Sequence, residues 1–377
     1  MRVCLEATSL LAHRSGVGHT TAELARALVD ADPDVEVSLL PLSARGSGRL
    51  RSVAPQHPRI RALRARVPAR LTSWIWQRST WPPAELFCGA VDVFHGPNFL
   101  LPPLLKAAGV VTIHDLAFVR VPEACSPHVR TYTHTVPVAV RRANRIVVPS
   151  AFVASELADW LPDSKDRIRI VRPGVRDVFG PGGHLASPLR DSLGLREAYV
   201  VYVGNLEARK NLDLLLRAFT VVLRTHEHAQ LVLVGAPGPG WDRIADLHAG
   251  LLGSRAVVRP GYLPDAEVAA LIRGARAFVY PSRYEGFGMP PVEAMACRTP
   301  VVATDIPALS ETLGGHAELV GPDDADALAV AITRHLEHAA DPELLNAAAA
   351  HAASFTWTRT ASEALAVYRE ALDEVRA

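Results

Sequence analysis

Short apolar segments alternate with amphipathic stretches along almost the whole chain. Val3–Leu5, Val35–Leu39, Val91–Phe94, Val110–Ile113 and Ile146–Val148 have the length and apolar content of strands. His19–Asp30 and Ala151–Trp160 carry apolar residues at three- and four-residue spacing and read as helices. Ile168–Val171 runs into Arg172-Pro173-Gly174-Val175, and a glycine- and proline-rich stretch continues to Pro188, a linker composition. A second series follows: Tyr199–Val203, Leu231–Val234, Ala256–Val258, Ala277–Tyr280, Val301–Ala303 and Glu318–Val320 as strands, with helices starting near Asn211, Asp242, Asp265 and Val292. Trp357–Arg376 is a last amphipathic helix. Strands alternating with helices predict parallel, doubly wound sheets. The break near residue 173 predicts two Rossmann-like α/β domains of similar size, facing across a cleft.

Chemistry concentrates where predicted strands end. In Val279–Val302, a strand closes at Pro281-Ser282, Glu285 and Gly286-Phe287-Gly288 form a turn, and Glu293 falls in the first turn of the next helix. Two carboxylates eight residues apart, beside a helix start whose amides lack internal acceptors, suit a hydroxyl-rich or anionic ligand. A glutamate there also simply complements the helix dipole, and a carboxylate pair is equally what a glycosidase needs. In Tyr202–Leu212 a strand ends at Gly204, and Arg209-Lys210 stand just ahead of a helix. Two cations at the positive end of a helix are awkward structurally and suited to a diphosphate. Ser15-Gly16-Val17-Gly18 follows the first strand and lets a ligand approach the backbone, although it lacks the full dinucleotide fingerprint. His114 and His95 both stand where a strand is expected to end, the edge at which α/β sites form.

Composition removes several classes. Of the 377 residues, 49% are hydrophobic and 21% charged, and the net charge of +1 gives no reason to expect a nucleic-acid partner. Cys4, Cys88, Cys125 and Cys297 are scattered with no C-x-x-C pair, so neither a disulfide framework nor a zinc site is expected, and a cytoplasmic location fits. No apolar run reaches the roughly 20 residues of a membrane span, and the opening MRVCLEATSLL does not read as a signal peptide. Asp32-Pro33-Asp34 and Asp323-Asp324-Ala325-Asp326 do not follow strands as a metal–diphosphate pair would, so no required metal or cofactor is expected. One region is uneven. Between Glu36 and Glu85 there are nine arginines (45, 49, 51, 59, 61, 64, 66, 70, 78) and no acid, with Trp74, Trp76 and Trp81 close by. Such a stretch suits peripheral contact with an anionic membrane or a phosphorylated acceptor; a solvated loop with tryptophans packed inward is the plainer reading.

Taken together, these segments resemble the family-4 retaining glycosyltransferases of the GT-B fold, mannosyltransferases above all. The likeness runs through Ser15–Gly18, Thr112-Ile113-His114-Asp115, Pro173-Gly174-Val175, Gly204–Leu212, Gly261-Tyr262, Glu285 and Glu293, Glu311, and Phe355-Thr356-Trp357. It implies an acceptor-binding domain, 1–172, completed by a returning C-terminal helix, 357–377, and a nucleotide-sugar domain, 173–356. It also implies roles. Glu293 would accept the donor ribose hydroxyls, and Glu285 with the amides of Gly286, Phe287, Gly288 and Met289 would hold the transferred sugar and phosphate. Arg209 and Lys210 would clamp the diphosphate, joined by Gly16 and Gly18. His114 would sit near the anomeric carbon, and Tyr262 and Leu263 beside the nucleobase. The donor would be a nucleoside-diphosphate hexose, GDP-mannose first, and the acceptor a glycan, lipid-linked or small-molecule hydroxyl. Arg298 departs from the family's glycine, and if the turn demands a positive φ the arginine would carry strain there.

Overall fold

The computed structural model describes residues 1–11, 16–43, 47–64, 75–183 and 187–377. Ser15, Arg45, Arg66, Arg70 and Trp74, named above, lie outside them. The chain divides into two compact units: residues 1–118, 128–174 and 356–377, and residues 119–127 with 175–355.

The first unit is built on seven parallel strands in the order β3-β2-β1-β4-β5-β6-β7. They are β1 (Arg2–Glu6), β2 (Glu36–Leu40), β3 (Ile60–Ala62), β4 (Val93–Gly96), β5 (Ala108–Thr112), β6 (Arg145–Val148) and β7 (Ile168–Ile170). The central strands are buried on both faces, which is why they read as short apolar runs. The edge strands β3 and β7 are three residues each, half-exposed and centred on an arginine, and for that reason carry little periodic signal. β4 begins two residues later than the apolar pattern suggests and so takes His95 inside the strand.

The C-terminal helix, Trp357–Arg376, starts where the Thr356 hydroxyl accepts the Arg359 amide. Ala361, Ala364, Leu365, Tyr368 and Ala371 recur at three- and four-residue steps and enter the core of the first unit. Glu370 on its flank accepts from Arg145 at 3.0 Å and from Arg169 at 2.8 Å. A Cβ at Gly174 would lie 2.5 Å from the Trp357 nitrogen, so only glycine lets the segment after β7 and the start of the last helix touch.

The second unit has six parallel strands in the order β10-β9-β8-β11-β12-β13. These are β8 (Tyr199–Val203), β9 (Gln230–Val234), β10 (Val257–Gly261), β11 (Ala277–Tyr280), β12 (Val301–Thr304) and β13 (Glu318–Val320). Its core is separate, formed by strand residues such as Val201, Val232 and Phe278 with Leu215 and Phe219 of the helix Leu212–Val222.

Within the arginine-rich stretch, Arg59 donates to the carbonyls of Val29 and Asp32 at the end of the helix Gly16–Ala31. Trp76 is buried and donates to Pro82 O at 2.8 Å. Of the tryptophans expected at a membrane surface, Trp81 is the exposed one among the described residues. No disulfide joins the four cysteines. Among the described residues no helix is long and apolar enough to cross a membrane.

Candidate active site

In an open parallel sheet, the crevice forms where strand order reverses, at the carboxyl ends of the two central strands. In the second unit that point lies between β8 and β11. The loops leaving these strands are the two segments whose chemistry stood out, 204–211 and 281–288.

The loops are tied together by charge. Lys210 is buried and donates to Glu285 Oε1 at 2.6 Å and to the Tyr280 hydroxyl at 2.8 Å. Arg209 reaches Glu285 Oε2 at 3.4 Å, the Tyr284 carbonyl at 3.0 Å and Glu207 Oε1 at 3.0 Å. Behind them, the Arg283 amide donates to Arg209 O, and Asn211, left-handed at φ 56°, bonds both Arg283 and Pro322. Burial would raise the Glu285 carboxyl, but Lys210 and then Arg209 hold it down at about 2. Burial lowers the Lys210 ammonium, with Glu285 opposing. So Glu285 is a fixed anion that accepts from donors and has no proton to give.

Several expectations need correction here. Arg209 and Lys210 stand just ahead of the helix Leu212–Val222, as read, but on a 3-10 turn of their own, Ala208–Lys210. Their charges are balanced by Glu285 and Glu207. Glu293 is not in a first turn. The helix spans Met289–Ala296, opening ahead of the two prolines, which fit a helix start because φ is fixed and no N–H is missed. Glu293 is therefore its fifth residue. Pro290 and Pro291 offer no amide, so the anion-binding backbone reduces to the turn itself and Met289. Gly288 holds φ 97°, and a Cβ there would lie 2.4 Å from Leu309 Cδ2, so glycine is required. Phe287 turns its ring into the core, edge-to-face with Phe355 at 5.5 Å, and brings only its backbone to the loop. Gly261 closes β10, Tyr262 is 60% exposed, and Leu263 packs partly on the core.

Sequence reasoning missed three partners: Arg176, Asp265 and Glu207. Arg176 donates to Glu293 Oε1 from Nε at 3.3 Å and Nη2 at 3.1 Å, and to Asp265 Oδ2 from Nη1 at 2.5 Å. Burial raises the Glu293 carboxyl, Arg176 opposes, and Asp265 adds to the rise. Glu207 and Asp265 were visible only as acids near loop ends, and Arg176 as one more cation after Pro173-Gly174-Val175. No local pattern in that linker-like stretch marks Arg176.

In the first unit the strand order reverses between β1 and β4. Gly16 and Gly18 open the helix Gly16–Ala31 after β1, with open space around a Cβ at Gly16. His114 follows β5 and bonds the Pro97 carbonyl through Nε2 at 2.7 Å. A carbonyl cannot donate, so Nε2 carries the proton and Nδ1 is the acceptor. Burial lowers its pKa, keeping the ring neutral. Phe99, at a left-handed φ of 60°, meets the ring edge-on at 5.6 Å. His95 is different: it is buried, with Nδ1 on the Tyr368 hydroxyl at 2.7 Å and Nε2 on Thr112 at 2.8 Å, a structural histidine. Among the described residues no group of three or more His, Cys, Asp or Glu is arranged to hold a metal ion.

Two parallel α/β units, with ion-paired cations and acids at the switch point of one, have the architecture of the GT-B class, and known proteins show which family this is. Residues 14–178 match the family described as Glycosyltransferase Family 4, and residues 189–352 that described as Glycosyl transferases group 1. O-antigen chain mannosyltransferase B of Escherichia coli is 31% identical over 284 residues, 74% of each chain. D-inositol 3-phosphate glycosyltransferase of Acidothermus cellulolyticus is 34% identical over 248 residues, 63% of this chain and 55% of that one. The chain thus spans about half the length of that relative. Sucrose-phosphate synthase from Thermosynechococcus elongatus superposes with a TM-score of 0.72 at 22% identity, covering 98% of both chains. Anabaena HepE in complex with UDP and glucose gives 0.68 at 16%, over 97% of this chain and 98% of that one. At such identities these two show the fold alone. The chain belongs to the family-4 glycosyltransferases of the GT-B fold.

Proposed function

We propose that this chain moves a hexose, mannose first, from a nucleoside diphosphate, GDP first, to an acceptor hydroxyl with retention at the anomeric carbon and no required metal. The first unit would bind the acceptor and the second the donor. The observation that carries the reading is the Lys210–Glu285–Arg209 cluster at the β8/β11 switch point. Glu285 would accept hydroxyls of the transferred sugar. Arg209, whose 3.4 Å contact to Glu285 is the longest of the cluster, would turn to the diphosphate, with the backbone of Gly286, Gly288 and Met289 beside it. Positive charge fixed there in advance stabilises the departing phosphate as its charge grows. In front-side attack that phosphate would also take the acceptor's proton, and His114 would accept a hydroxyl at Nδ1. A hydrolase pair fits less well, since glycoside hydrolysis would give the cations Arg209 and Lys210 no diphosphate to hold. The mannosyl choice draws on the Escherichia coli relative's name, and the diphosphate on HepE's complex with UDP.

Two measurements test this. Thermal shifts with GDP, UDP and dTDP report selective binding by mass action; GDP is expected to raise the melting temperature most, and a larger shift with UDP or dTDP moves the donor assignment to that base. In transfer assays with the donor so identified, Arg209→Ala is expected to lower turnover about 10²–10³-fold, as for one preorganised donor group. Near-wild-type turnover in that variant would remove Arg209 from the mechanism.

A further inference from the structure

Arg176 is the first charged side chain of the second unit after the passage at Gly174, and that side chain is 15% exposed. Nε and Nη2 converge on a single oxygen of Glu293, while Nη1 holds Asp265. The planar group lies over the Phe179 ring, Cζ 4.7 Å from its centroid, which fixes the plane in which the fork points. Asp265 is the first residue of the helix Asp265–Gly274, directly after Gly261–Pro264. Glu293 stands on another helix, Met289–Ala296. One side chain thereby joins the carboxylate assigned to the ribose and the segment assigned to the base.

We infer that Arg176 is a positioning residue for the nucleoside half of the donor: it orients Glu293 as a charged acceptor and, through Asp265, locks it to the base-side loop, so that ribose and base are read as one unit. The inference rests on the donor-site reading above. The charge count gives it direction. Two acids share one cation, so removing the guanidinium leaves a buried carboxylate unpaired, and such a group gives up its charge or its position. A carboxylate gripped at one oxygen still offers the lone pairs of the other to ribose hydroxyls. The opposite geometry, with Arg176 filling the ribose position, predicts the opposite sign.

Calorimetric titration of the full chain with GDP, UDP and dTDP decides between them, using wild type, Arg176→Met, Arg176→Lys and Asp265→Asn. The diphosphate that wild type binds best is expected to bind Arg176→Met about 10–100-fold more weakly, the range of one charge-assisted hydrogen bond. Arg176→Lys keeps the charge without the fork and is expected to recover part of the loss, which a merely structural role would not produce. Asp265→Asn leaves the Glu293 contact in place and is expected to lose less than Arg176→Met; it supplies the measurement if Arg176→Met does not fold. Unchanged or tighter binding by Arg176→Met, no recovery by lysine, or unchanged affinity in Asp265→Asn would each overturn the inference while leaving the donor site intact. A wild type that binds none of the three would overturn the donor-site reading and the inference with it.

Discussion

Arg298 holds φ 59°, in the region where an L-residue's Cβ crowds the next carbonyl. The reason is the way the helix Met289–Ala296 ends. The Arg298 amide donates to Met295 O and the Thr299 amide to Ala294 O, the paired 5→2 and 6→1 bonds that close a helix through a left-handed residue. Glycine occupies this position at little cost, whereas arginine costs roughly 1–2 kcal/mol there. Arg298→Gly is therefore expected to stabilise the chain by about 1 kcal/mol, offset in part by added freedom of the unfolded chain. The urea midpoint at unchanged slope measures it, and an unchanged midpoint would mean the backbone carries no strain. This position was legible through the resemblance, since relatives carry glycine there and glycine marks a turn that can demand a positive φ. Arg176 was not, because its meaning lies in Glu293 and Asp265, over 80 residues away, and nothing local marks such a partner.

At the scale of elements, the ends of strands were the least legible feature, and His95 shows why. Asp92 interrupts the apolar run of β4, so the pattern starts and stops early and places His95 beyond the strand's edge. Pairing with β5 extends the strand through Gly96, opposite Val111. His95 then lies between Thr112 and Tyr368, both assembled from distant sequence. Burial, with His114 nearby, drives its pKa from 6.5 down to about 3. The sign follows directly. Below pH 6.5 the unfolded chain takes up a proton that the folded chain refuses until about pH 3, so acid favours unfolding across that window. Stability is expected to fall by about 1.4 kcal/mol per pH unit from this one group, and His114 adds in the same direction. Denaturant midpoints measured from pH 7 to 4 should show a shallower slope for His95→Asn, although that variant starts less stable for want of its two bonds. An unaltered slope would mean that His95 is protonated in the folded state.

For the whole molecule, two series of strands and helices separated by a proline- and glycine-rich passage were enough to read two parallel α/β units. The assignment of residues 119–127 to the second unit was invisible, because grouping of that kind depends on contacts and not on pattern. The amphipathic stripe of the last helix showed that it buries a face, but could not say against which core. In the structure that face belongs to the first unit: Ala361, Ala364, Leu365, Val367, Tyr368 and Ala371 are buried there, and Glu370 ties Arg145 to Arg169. Burying a leucine, a valine and a tyrosine is worth on the order of 1.5–3 kcal/mol each, so the helix supplies a large share of the 5–15 kcal/mol that holds a domain folded. Ending the chain at residue 356 is therefore expected to unfold the first unit while sparing the second, whose core takes nothing from the helix. Native-state hydrogen exchange separates the two. Amides of β1, β4 and β5 should lose their protection in the shortened chain, and those of β8, β9 and β11 should keep it. Protection kept in β1 and β4 would show that the first sheet holds its core without the helix. Loss in both sets would show that the second unit draws its stability from the first.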